Sequence, residues 1–157
     1  MIELFGTAEE IRPNIKGSVL RSALDYWQAL PAVNGIPARR AIDPMAIPKL
    51  LPTVMMIVAE PGGDFRYQLA GTMVEDKYQL GTLRGKTPFE ILGDAADKVL
   101  IPYRRVRDEG TLFYRDASME WVNHSRKYSR YRALLMPLSD DGATVNMIFG
   151  VQDFVAG

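Results

Sequence analysis

The sequence predicts an α+β fold: a five-stranded antiparallel sheet with helices on one face and an N-terminal helix. Three observations lead there. A helix-period segment spans residues 18–30, two strand-like runs follow at 53–60 and 65–70, and three longer strand-like runs come after a helical middle. At 157 residues, 47% of them hydrophobic, the chain can bury one sizeable core. A single domain is expected over residues 18–157, with residues 1–17 as an N-terminal extension.

Each element has a local cause. Leu20, Ala23, Leu24, Trp27 and Leu30 share one helical face, whereas Arg21, Asp25 and Gln28 fall elsewhere, and Pro31 ends the run. Asp43-Pro44 reads as a helix cap followed by proline at the first helical position, and Pro48 keeps that turn short. Residues 53–60 are almost continuously apolar, Pro61-Gly62-Gly63-Asp64 is a tight connection, and residues 65–70 alternate, so the three pieces form a hairpin. Short helices are expected at 73–80 and 88–92, and a longer one at 95–109 with Val99, Tyr103 and Val106 on one side and Gly110 as its stop. Strands follow at 112–122, 127–138 and 144–154, separated by the turn compositions Asn123-His124-Ser125-Arg126 and Ser139-Asp140-Asp141-Gly142. The strand beginning near Thr53 is expected between its hairpin partner and the last strand.

Composition narrows the chemistry. Nineteen basic and nineteen acidic residues balance, so no global field draws nucleic acid or an anionic membrane. The absence of cysteine removes disulfides, thiolate nucleophiles and cysteine-ligated metals or flavins. The longest apolar runs, 54–59 and 133–138, are too short to span a bilayer, and the acidic start has no leader-like pattern. A soluble cytoplasmic protein is the expectation.

No residue set announces catalysis or a metal. His124, the single histidine, sits in a turn composition beside Arg126 and Lys127, where water reaches it. Asp140-Asp141-Gly142 reads as a hairpin turn, because no regularly spaced oxygen ligands follow. Gly81 and Gly85 precede Lys86-Thr87, but three residues separate them where a phosphate loop needs four, and Pro88 comes next, so they read as backbone turns. Asp116, Ser118 and Glu120 alternate along one strand; Ala117, Met119 and Trp121 take the core side, which leaves the acids in solvent. The run from Arg126 to Arg132 carries four cations and two tyrosines, a composition that suits an anionic ligand but is better matched by cross-strand pairing with Asp116 and Glu120.

The grammar from Asp64 to Leu92 combines a short strand, the Gly71-Thr72 step, a polar helix and the Gly81–Gly85 turn into Lys86-Thr87-Pro88. Together with Pro37 to Pro44, the Leu51-Pro52 step and Pro137 to Gly142, it resembles the bacterial PAS-like family of small stand-alone proteins, often labelled the fifth PAS group. The resemblance covers roughly residues 20–154 and implies a PAS-like fold with a sensing or interaction role. Passage of the signal in trans to a protein partner is expected, since no output segment is evident in the sequence. A small-molecule ligand would lie between the sheet and the helices of 73–109, near Tyr67, Tyr103 and Trp121, with Arg66 or Gln68 as polar contacts. The sequence names no cofactor. The apolar face of Leu20, Leu24, Trp27 and Leu30 must pack on the chain's own sheet or on a second copy; an N-terminal helix in PAS domains commonly serves both uses, which implies a homodimer with the helix at or beside a twofold interface. Two other readings stay open: a small enzyme on a curved-sheet cone fold, which needs a buried acid and tyrosine in one cavity, and a structural adaptor with a filled core.

Overall fold

The computed structural model describes residues 1–122 and 129–155. His124, Arg126, Lys127 and Tyr128, and the turn expected around them, lie outside the described residues. The sheet has six strands: β1 (Ile2–Gly6), β4 (Val54–Ala59), β5 (Phe65–Ala70), β6 (Leu112–Ser118), β7 (Arg130–Leu138) and β8 (Met147–Val155). A two-stranded ribbon, β2 (Ala32–Val33) with β3 (Ile36–Pro37), forms a separate small sheet, turned by Asn34 and Gly35, both at positive φ, and tied to the end of β7 by the Ser139 N–H, which donates to the Pro37 carbonyl.

Strand order in the sheet is β1-β6-β7-β8-β4-β5, antiparallel throughout. The expected placement of β4 between its hairpin partner and the last strand is met. The strand count is corrected from five to six, because residues expected as an extension pair Ile2 through Gly6 with Asp116 through Leu112. Short as it is, β1 completes the β6 edge, and Thr7 then caps α1 (Ala8–Ile11) through a reciprocal bond with Glu10.

Helices cover both faces. On one, α2 (Ser18–Ala29) buries Leu20, Ala23, Leu24 and Trp27 against Val54, Met56, Leu134 and Phe149. The Trp27 indole N–H donates to the Pro137 carbonyl at 3.0 Å, so the ring is buried with its polar end satisfied. The apolar face that the sequence offered to a second copy is thus taken up by the chain's own sheet. On the other face, α3 (Thr72–Tyr78), α4 (Pro88–Leu92) and α5 (Asp97–Glu109) enclose Ile57, Phe65, Tyr67, Tyr103, Val106 and Ile148.

Glycine decides how β5 enters the helices. A Cβ on Gly71 would lie 2.2 Å from the Pro52 carbonyl oxygen, so no side chain fits where α3 starts against the Leu51-Pro52 step. Gly85, at φ 84°, is a turn residue: its N–H donates to the Tyr67 carbonyl at 2.7 Å, and the Tyr67 N–H donates to the Lys86 carbonyl at 3.0 Å. This loop lies along the outer edge of β5.

Candidate functional site

Strand alternation delivers a polar group to the interior beneath α5. Phe113, Arg115 and Ala117 face α5 from β6, Tyr131 and Ala133 from β7, and Ile148 and Gln152 from β8. The phenols of Tyr67 and Tyr103 lie 3.1 Å apart, one donating to the other, and the rings meet edge to face. Gln152 contacts the Tyr78 hydroxyl at 2.5 Å, while its Oε1 has no hydrogen-bond partner among the described residues. Burial pushes the pKa of Tyr67, Tyr78, Tyr103 and Tyr131 above the ordinary phenol value. The space between these groups is about 20 Å³, bounded by Tyr78, Tyr103, Tyr131, Arg115 and Gln152. That is room for one water molecule and no organic ligand.

Arg115 forms the wall of this space and, through its other side, lines a larger groove of about 350 Å³. Phe5, Ile101, Pro102, Phe113 and Trp121 supply the groove's apolar surface, and Glu3, Asp94, Asp97 and Lys98 its charges. The Arg115 guanidinium donates from Nε to Glu3 at 2.6 Å, from Nη2 to the Lys98 carbonyl at 2.7 Å and from Nη1 to the Tyr131 hydroxyl at 3.3 Å. Burial works against this cation, but the Tyr131 phenol and the Glu3 carboxylate outweigh it, and its pKa lies above the ordinary arginine value. The guanidinium carbon lies 5.2 Å from the Phe113 ring centre and 5.7 Å from that of Trp121.

The residues expected at a ligand site divide into three places. Tyr67 and Tyr103 meet in the closed interior. Trp121, half-buried, lines the outer groove and stands 6.2 Å from the Tyr131 ring. Arg66 and Gln68 face outward instead. Arg66 holds Glu60 at 3.1 Å and the Gly85 carbonyl at 2.9 Å, an anchor for the turn. Gln68 is the residue skipped by the register shift between Met56 and Ile57, a bulge that also leaves Leu69 exposed where alternation placed it beside Tyr67.

Asp116 is a second correction, since it is 4% exposed where alternation left it in solvent. Arg130 reaches it at 3.0 Å and Arg132 at 3.6 Å, which is the cross-strand pairing expected from the basic run. In the ladder Asp116 lies opposite Ile2 of β1, and nearby the Lys16 amide donates to the Tyr114 hydroxyl and Gly17 lies close to Arg132 and Asp153. Glu120, beyond the end of β6, remains exposed. Arg115 itself escaped the sequence reading, although the signal was present: an arginine between the inward positions Phe113 and Ala117.

Among the described residues, no group of three or more His, Cys, Asp or Glu side chains is placed to hold a metal, and no helix is long and apolar enough to cross a membrane. The family model described as PAS domain matches residues 15–152. The chain belongs to the PAS domain family. A PAS domain is a sensory or signalling domain, and the antiparallel sheet with α3, α4 and α5 on one face is that fold, with β1 added beside β6. No curated protein matches the chain.

Proposed function

We propose that this PAS domain senses a small molecule in the groove beside Arg115 and relays its state in trans by contact with another protein. The observation that carries the reading is that the groove of about 350 Å³ is backed by the buried Arg115, whereas the interior under α5 has about 20 Å³ free and the wider pocket of about 530 Å³ beside α2 has only the exposed Lys49 as a charge. The groove falls within the size range of small-molecule sites and combines apolar walls with a few polar groups. Trp121 belongs to the site in this reading, and Tyr67 and Tyr103 form the rigid backing behind Arg115. Arg66 and Gln68 are left to hold the outer edge. The role is sensory rather than enzymatic, and a cytoplasmic setting belongs to the same proposal. Homodimerisation, if it accompanies signalling, uses surface other than the buried face of α2.

A second reading, a contact module without a ligand, is favoured by the filled interior. Native mass spectrometry of protein purified without denaturation, followed by NMR titration with small aromatic fragments, separates the two. Retained mass or shifts confined to Phe5, Ile101, Phe113 and Trp121 support the sensor. No retained mass and no shift at millimolar fragment supports the contact module.

A further inference from the structure

The head group that the groove selects follows from the state of Arg115, an inference that rests on the sensor reading above. The Arg115 side chain is 7% exposed, and Glu3 is its single carboxylate partner among the described residues. Its other two contacts, the Lys98 carbonyl and the Tyr131 hydroxyl, are neutral. A buried guanidinium left without an anion is strongly disfavoured, so the position facing Arg115 in the groove must be held by a negative oxygen.

Glu3 holds it from an unusual place. It stands on β1, a five-residue edge strand, with 37% of its side chain exposed. The other charges of the groove, Asp94, Asp97 and Lys98, are exposed, so water and salt screen them. Arg115 is the charge that water screens least, and it lies under the flat surfaces of Phe113 and Trp121.

We propose that the groove binds a small organic acid with a flat apolar body, whose carboxylate replaces that of Glu3 on Arg115. Glu3 is then a built-in stand-in for the ligand's head group. Its displacement removes the side-chain tie between β1 and Arg115, while the backbone ladder, the Thr111 hydroxyl on the Gly6 carbonyl, Leu4, and Phe5, whose ring packs 4.6 Å from Phe113 and under Arg105, still hold β1. Ligand occupancy is thereby coupled to the stability of the sheet's edge strand, a differential interaction of the kind a population shift requires.

The test uses phenylacetate and its neutral isostere phenylacetamide as probes, read by ¹H–¹⁵N NMR of the full chain. In the native protein phenylacetate shifts the Trp121 indole and speeds hydrogen exchange of the Ile2 to Gly6 amides, and phenylacetamide does neither at equal concentration. The variant Glu3→Ala, which lacks the internal competitor, binds phenylacetate at least about tenfold more tightly and recovers lost thermal stability on adding it. Equal affinity of variant and native protein for the acid, or an equal gain for the amide, overturns the proposal. Should Glu3→Ala fail to fold, the native titration decides alone: no preference for the acid over the amide overturns it. If both probes shift the groove equally, the sensor site stands and the acid specificity falls. If neither shifts it, both fall.

Discussion

The two faces of the sheet are built from different chemistry. Beneath α2 the cluster is largely aliphatic, with Leu20, Leu24, Met56, Leu134 and Val151 buried around Trp27. Beneath α5 four tyrosines, Arg115 and Gln152 sit among the apolar side chains; apart from the Gln152 Oε1, their polar atoms meet one another, the backbone or, for Arg115, Glu3. Close packing of saturated side chains gives stability without direction. A network of directed bonds gives stability too, but it also fixes geometry, and any member that moves leaves partners unsatisfied. The α5 face is therefore where a change in one group reaches the others, and the groove opens on that side through Arg115.

Alkaline titration sharpens this contrast most. The four buried phenols have folded-state pKa values above that of the unfolded chain, so their contribution is complete below about pH 10. Above that, the unfolded chain releases phenolic protons that the folded chain retains. Stability then falls by roughly 1.4 kcal/mol per pH unit per phenol, about 5 kcal/mol per unit for four. Ultraviolet titration of phenolate should show these tyrosines ionising only with cooperative unfolding. Smooth ionisation of all seven tyrosines near pH 10 would break the picture of a closed interior.

Substitutions probe each face in turn. Leu24→Ala, under α2, should lose about 2–5 kcal/mol in urea unfolding through the cavity it leaves, with fragment binding at Trp121 unchanged. Tyr103→Phe leaves the Tyr67 hydroxyl without its partner and should cost about 1–3 kcal/mol despite nearly constant volume. Trp121→Ala should cost the least, about 0.5–1.5 kcal/mol from its contact with Tyr131, while abolishing fragment binding in the groove. If Trp121→Ala left fragment binding intact, the groove would lose its role.

Much of the fold was legible because its causes are local. The α2 face, the Val99, Tyr103 and Val106 side of α5, and the Gly110 stop, at φ 65°, all follow from spacing within a dozen residues. The site was less legible. Arg66 was a reasonable polar candidate on an alternating strand, but it alternates with the buried Phe65 and Tyr67 and so faces away from the α5 side at the sheet's edge, and the bulge leaves Gln68 unpaired and exposed. Asp116 looked exposed because its surroundings come from distant segments: Ile2 lies opposite it on β1, and Arg130 and Arg132 reach it from β7.

By itself the sequence determined the order of helices and strands, the inward and outward faces of most of them, and the family, since periodicity and turn chemistry act over short distances. Tertiary structure alone decided that Ile2–Gly6 joins the sheet, that the interior is filled, and that Arg115 meets Glu3 across 112 positions of chain. Such pairings form only when folding brings distant segments within hydrogen-bond reach. A buried charge then takes whichever opposite charge the topology delivers, a choice that no local pattern encodes.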